Sequence, residues 1–206
     1  MYLLRRKQVW LQRFRYRRGY GIHSPFAFNF VTGVVYEKGI YYAYRDLDRN
    51  YGLHRKRLGF SFEKKQLRKC ARLLFRISNY VHPDFILVYG NTKNWVDGYL
   101  AAGCVSAGLM KFLSPESEMH TRFADKTLLV YLDDIGVAEQ VWASLSGFST
   151  LRSVFLISGI HADVESVGLW HRFQAHPAVG ITFDLYDYGI VFWDRNRYKQ
   201  HYLVNF

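Results

Sequence analysis

The chain has 206 residues, half of them hydrophobic and 18% aromatic, with a net charge of +11. That suffices for one α/β domain with a full core and excludes disorder along the whole chain. The charge is uneven: residues 1–80 hold 19 Lys/Arg against 4 Asp/Glu, net +15, whereas residues 81–206 carry net −4. A basic N-terminal part before a mildly acidic body suits a phosphate-bearing partner, an acidic membrane surface or an acidic protein face, or serves solubility alone. Cys70 and Cys104 are the two cysteines, and neither sits in a C-x-x-C pair. This excludes a Cys-based zinc knuckle and argues against a disulfide framework, so a reducing cytoplasm is the expected location. No apolar run approaches the roughly 20 residues of a membrane helix, and the basic N-terminus lacks the apolar stretch of a secretory signal.

In chain order, residues 2–18 read as a helix. Leu3, Trp10, Leu11 and Phe14 fall on one face, and Arg6, Arg13 and Arg17 on a neighbouring one. Docking on the body, lying on anionic lipid and following a phosphate backbone are all open to it. Ser24-Pro25 opens a second helix, with Ser24 as N-cap and Pro25 at the first helical position. Arg45 to Arg57 is charged and reads as a solvated face, with a loop around Gly52 and Gly59. Ser61 to Tyr80 is a strongly periodic helix built on Leu67, Cys70, Ala71, Leu74 and Ile77, closed by His82-Pro83.

The run Phe85–Tyr89 ending at Gly90-Asn91-Thr92 reads as a buried parallel strand, a tight turn and a following helix from Asn94. In open α/β sheets ligands bind beside such turns, at the carboxyl ends of strands. Further strands are expected within Cys104–Leu113, Thr127–Leu132, Ser153–Ser158, Val179–Leu185, Gly189–Trp193 and Tyr202–Phe206. Ser114 to Lys126 reads as a polar loop. Helices are expected over Gly136–Leu145, stopped by Gly147, and over His161–Ala175. Strands alternating with helices indicate a mostly parallel sheet, and a terminal hairpin adds an antiparallel edge. Residues 1–80 form a basic helical extension packed on a Rossmann-like domain of residues 81–206.

Polar candidates gather at strand ends. Asp133-Asp134 could hold a substrate donor or Mg²⁺, or could cap the helix that follows. His161 could act as a general base, or as a capping or surface histidine, since no acid adjoins it in sequence. His171 and His176 are five residues apart, the wrong spacing for two ligands on one helical face, so no metal is expected there. Asn91, Thr92 and Lys93 could bind an anion at a helix N-terminus. Trp10, Phe14, Tyr16 and Tyr20 interleave with Arg13, Arg15, Arg17 and Arg18, a pattern that would suit RNA; the same aromatics could form a homodimer contact.

Gly21-Ile22-His23-Ser24-Pro25-Phe26, the tract Tyr41-Tyr42-Ala43-Tyr44 and the tail from Ile181 to Phe192 together resemble a family of small bacterial class I S-adenosylmethionine (SAM) dependent methyltransferases. The resemblance spans nearly the whole chain. It implies an α/β, Rossmann-like methyltransferase sheet, mostly parallel, with a C-terminal antiparallel hairpin, helices on both faces and an N-terminal helical extension. It also implies SAM as cofactor, with Gly90, Asn91, Thr92 and Asp133 lining the cofactor side and Asp134 and His161 nearest the methyl acceptor.

The family's site is altered here. Its first-strand acid corresponds to Val88 and its second turn glycine to Asn94, and its ribose-binding acid has no counterpart in Val105–Met110. A later Asp-Asp reads Ser158-Gly159 before Ile160-His161, and the middle is short, so one strand–helix unit is reduced or missing. Each lost charge-assisted hydrogen bond removes roughly 1.5–3 kcal/mol, so two would weaken SAM about a hundredfold or more. The contrasting expectations are a methyltransferase-fold scaffold without catalysis and a protein that binds RNA or an acidic partner through its basic arm.

Overall fold

A computed structural model describes residues 2–53, 62–114, 123–145, 152–177, 179–193 and 198–206. The charge run His54–Arg57, most of the Ser114–Lys126 loop and the Gly147 stop lie outside the described residues. Seven strands form one sheet: β1 Phe85–Tyr89, β2 Gly108–Phe112, β3 Leu128–Leu132, β4 Val154–Ser158, β5 Ile181–Asp184, β6 Tyr188–Phe192 and β7 Gln200–Leu203, in the order β2-β1-β3-β4-β6-β5-β7. The strands β1 to β4 are mutually parallel. The strand β6 runs antiparallel between β4 and β5, and β7 lies parallel to β5 at the edge. This puts the carboxyl ends of β1, β3, β4 and β5 on one rim of the sheet. Two consecutive elements on opposite sides of β1 mark the switch point, where β1 meets β2 on one side and β3 on the other.

Alternation along each strand assigns the two faces. Ile86, Val88, Leu129, Tyr131 and Leu156 pack under α2 (Pro25–Phe30), α4 (Phe62–Val81) and α5 (Asn94–Gly103). Leu87, Leu128, Val130, Phe155 and Ile157 pack against α6 (Ala138–Leu145) and α7 (Val164–Ala175). The helices therefore cover both faces, and the segment before β1 shares one core with the sheet. Ser24 caps α2 through Ala27 N with Pro25 in the first turn, and the helix runs on as a π turn over Val31–Val35.

Two local expectations are corrected. The charged stretch from Arg45 begins within a helix, α3 (Ala43–Asn50), and is not solely a solvated face. Its Asp48 is buried, accepting from the Tyr99 hydroxyl at 2.6 Å and from Arg72 Nη2 at 2.6 Å. Charge therefore points inward here because cations and a hydroxyl await it, not water. The N-terminal helix also stops early, as α1 (Tyr2–Gln12) followed by a 3-10 turn over Phe14–Tyr16.

The helices α4 and α5 approach closely because Gly103 has no side chain. A Cβ there would collide with the Phe75 carbonyl oxygen and lie 2.7 Å from Ser78 Cβ. The obstacle is backbone, which cannot rotate aside. Gly103→Ala is therefore expected to destabilise the fold by about 1–3 kcal/mol, read as a lower urea midpoint. An unchanged midpoint would show that the helix pair can slide apart freely.

Candidate functional site

At the switch point β1 ends in Gly90, with φ +104°, a backbone state L side chains rarely adopt. A Cβ on Gly90 would stand 2.8 Å from Asp133 Cβ, so the glycine is what lets the β3 end close against this turn. The ladder continues past both strands: Gly90 N–H donates to Phe112 O at 2.9 Å, and Asp133 N–H donates to Tyr89 O at 3.0 Å. The Asp133 side chain remains exposed, with the Tyr131 hydroxyl 3.5 Å from its Oδ1. Partial desolvation against the turn, with Asp134 adjacent, raises its carboxyl above the ordinary range. Asn91 is exposed, whereas Thr92 is buried and its hydroxyl donates to Asp97 Oδ1 at 3.0 Å. Asp134 accepts from Gly136 N–H at 2.8 Å and so caps the 3-10 turn Ile135–Val137.

Where the resemblance implies acids, other groups stand. Val88 is fully buried in the apolar core. The β2 end carries Phe112, stacked on Tyr89 at 5.2 Å, and Lys111, paired with Asp97 at 2.6 Å.

Further along the same rim, His161 gains the partner that its sequence neighbourhood lacks. Its Nε2 lies 2.7 Å from Asp184 Oδ2, at the end of β5. Arg13 of the N-terminal segment forks onto the same carboxylate, Nη1 to Oδ1 at 2.7 Å and Nη2 to Oδ2 at 3.2 Å. Tyr186 N–H adds a fourth donor, to Oδ1 at 2.9 Å. Burial alone would raise the Asp184 carboxyl, but the His161 and Arg13 hydrogen bonds outweigh it and hold it at about 2. Arg13 Nη2 also lies 3.2 Å from His161 Nε2. The shorter contact to an ionised carboxylate sets the proton: Nε2–H donates to Asp184, which leaves Nδ1 as the ring's acceptor.

Tyr186 completes the arrangement. Its backbone sits at φ +74°, strain that a buried tyrosine keeps only where its surroundings enforce it. Its ring stacks on His161 at 5.2 Å and 15°, and the Arg13 and Arg6 guanidinium carbons stand 5.5 Å and 5.7 Å from its centre. The next residue, Asp187, pairs with Arg6 at 2.7 Å and accepts from Gln66 at 3.2 Å. A cleft of 850 Å³ opens here, with His161, Ser158, Gly159, Tyr186 and Asp187 on the sheet side and Gln66 and Cys70 from α4 opposite. Burial pushes the Cys70 thiol up to about 12, which keeps it protonated and a poor nucleophile.

The N-terminal segment, whose docking the sequence left open, meets the body through its cations. Arg6 of α1 and Arg13 just after it face the body, while Trp10, Leu11 and Phe14 are exposed. Buried Asp184 at the end of β5 and partly buried Asp187 in the β5–β6 turn need partners more than the stripe of apolar side chains needs cover. Asn205 fastens the segment further, its Nδ2 donating to Trp10 O at 2.9 Å. The alternatives for His161 as a capping or surface residue also give way. Asp163 caps α7 by accepting from Ser166 N–H at 2.7 Å, and His161 is half-buried in the dyad.

Of the six residues singled out in sequence, Gly90, Asn91, Thr92 and Asp133 gather at the β1–β3 switch point, with Asp134 at its edge. His161 stands by β4, two strands from β1, or about 10 Å at the usual strand spacing. Sequence reading missed Asp184, Tyr186 and Arg13. Asp184 is a polar end to the apolar run Ile181–Phe183, which marks a strand end but names no partner. Among the described residues no group of three or more His, Cys, Asp and Glu gathers as a metal site, and no helix is long and apolar enough to cross a membrane.

No protein-family model matches the sequence, and no curated protein matches it. Among solved structures the chain is similar to the SAH-bound methyltransferase PaMTH1 of Podospora anserina, with TM-score 0.50 and 9% identity over 82% of this chain and 96% of that one. It is also similar to the O-methyltransferase from Bacillus cereus in complex with SAH, at TM-score 0.47 and 11% identity over 79% and 94% of the two chains. With the sheet order above, the first likeness defines the class: the chain has the Rossmann-like fold of SAM-dependent methyltransferases. At 9% identity the two chains share this fold with widely diverged sequences.

Proposed function

We propose that the chain is a divergent SAM-dependent methyltransferase that takes SAM at the Gly90 turn and an O–H or N–H acceptor in the cleft at His161. The observation that carries this is the Asp184–His161 dyad, 2.7 Å apart, facing an 850 Å³ cleft on the carboxyl rim. PaMTH1, which shares the fold, binds SAH, and this supports the cofactor assignment.

The residues at the switch point fit the cationic, methionyl end of SAM. Gly90 offers close backbone approach, and Asp133 offers an exposed carboxylate whose raised proton affinity a neighbouring cation would reverse. They fit the ribose end less well, since Lys111 and Phe112 stand where a carboxylate would accept its hydroxyls. When bound, SAM supplies a methyl group activated by a sulfonium. Asn91 and Asp133 would orient that end, with Thr92 holding the turn through Asp97.

On the acceptor side, His161 Nδ1 would take the acceptor's proton while Asp184 holds the Nε2–H tautomer. Asp184 is thus a positioning residue, and Arg13 and Tyr186 fix Asp184 and the ring in turn. Asp134, already engaged as a cap, would contribute at most to the entrance between the two halves.

Calorimetric titration with SAM and with SAH tests the reading. Saturable binding is expected, with Asp133→Ala weakening it by about tenfold or more and His161→Gln leaving it unchanged. No heat and no thermal stabilisation at millimolar SAM would overturn the proposal.

A further inference from the structure

The helix α1 does not seal against the body along its whole length. Between it, α4 and the segment Val204–Phe206 lies a second cleft of 570 Å³. That volume is in the range of small-molecule sites. Its wall is apolar, formed by Val9, Trp10, Leu11, Val204 and Phe206. Its charged side chains are all cationic, Arg6, Arg13, Lys65 and Lys69, with no Asp or Glu among the described lining residues, and Arg6 Nη2 donates to Phe206 O at 2.7 Å.

These cations are not equivalent. Arg6 and Arg13 are committed to Asp187 and Asp184, each at 2.7 Å. Lys69 is partly buried, with its ammonium 3.8 Å from the centre of the Phe206 ring. Asp187, the acid whose field reaches Lys69, is already shared between Arg6 and Gln66. Burial lowers the Lys69 ammonium to about 8, with the neighbouring Arg6 and Arg76 opposing its charge and Asp187 favouring it. Holding an ammonium against an apolar wall is costly unless a counter-charge arrives. Lys65, one turn earlier on α4, is exposed at the same mouth.

We propose that this cleft is a binding site for an amphipathic carboxylate, its alkyl or aryl body against Val9, Trp10, Leu11 and Phe206 and its carboxylate on Lys69 and Lys65. The apolar wall selects the body, and the excess of cations over acids selects the charge. The site is independent of methyl transfer, since it needs neither the Gly90 turn nor His161.

Decanoate is the probe, with 1-decanol as the uncharged control, titrated by calorimetry at pH 7 below the solubility limit of each. Decanoate is expected to saturate one site and to bind about tenfold or more tightly than decanol. Lys69→Met keeps an unbranched, apolar stem and removes the desolvated charge, so it should melt no lower than the native chain and yet bind decanoate about tenfold or more weakly. Val9→Trp, which fills the cleft from its exposed side, should abolish binding of both probes. Equal affinity for decanoate and decanol, undiminished binding by a folded Lys69→Met protein, or no saturable site at all would each overturn the proposal.

Discussion

Asp184→Ala is expected to cost about 3–5 kcal/mol of stability, the range for removing one partner of a buried ion pair. The carboxylate is 4% exposed and receives four hydrogen bonds, from Arg13 Nη1, Arg13 Nη2, His161 Nε2 and Tyr186 N–H. Its loss strands the Arg13 guanidinium in a half-buried position and removes the main link between the N-terminal segment and the β5–β6 turn. Under the function proposed above, methyl transfer should be lost with it, because His161 would lose the contact that fixes its tautomer.

The pH dependence of stability isolates the same group. The folded carboxyl titrates at about 2, below its ordinary value of 3.8. Its contribution is therefore complete above about pH 5 and is lost as pH falls through 3.8 toward 2. The loss amounts to roughly 2 kcal/mol, and the Asp184→Ala protein should lack it. Urea midpoints at pH 6 and pH 2.5 measure the difference. Parallel declines in the two proteins would show that the carboxylate is not held by this cluster.

The second large effect is expected at Asp48 of α3. Asp48 is 4% exposed and accepts from Tyr99 and Arg72, with Arg68 Nη1 at 3.8 Å. Tyr99 is itself fully buried, and burial together with this hydrogen bond keeps its phenol protonated to well above the ordinary range. In Asp48→Ala the hydroxyl loses its acceptor and two arginines face a vacated apolar pocket. About 3–5 kcal/mol should be lost, a large share of the ~5–15 kcal/mol typical of a domain.

The double variant Asp48→Leu/Tyr99→Phe removes donor and acceptor together. It should recover part of the loss, because the penalty lies mainly in the groups left unpaired. Urea unfolding of the single and double variants decides this. A double variant as unstable as the sum of its parts would place the stabilisation in packing around α3 instead.

Much of the fold was legible in the chain itself. The runs Phe85–Tyr89, Leu128–Leu132 and Val154–Ser158 are short, apolar and closed by turn residues, and each is a buried parallel strand. Ser24-Pro25 and the periodic stretch after Ser61 likewise gave α2 and α4 close to their observed limits. The Gly90 turn was readable because few residues other than glycine hold its backbone state. The charged stretch at Asp46-Leu47-Asp48-Arg49 reads as a solvated face, whereas Asp48 is buried, because composition reports how polar a segment is, not whether partners wait inside.

What the sequence by itself determined is local: periodicity selects helix or strand, alternation selects the face, and glycine permits the switch-point turn. Tertiary structure alone decided which charges meet. Asp184 lies 23 residues from His161 and 171 from Arg13, so no spacing rule joins them. They converge because the hairpin inserts β6 between β4 and β5, carrying Asp184 to the rim where His161 stands. The orientation of α1 was decided in the same way. Its helical pattern offers both an apolar stripe and a cationic one, and the carboxylates of buried Asp184 and partly buried Asp187 select the cations, since an unpaired buried charge costs more than an exposed aromatic.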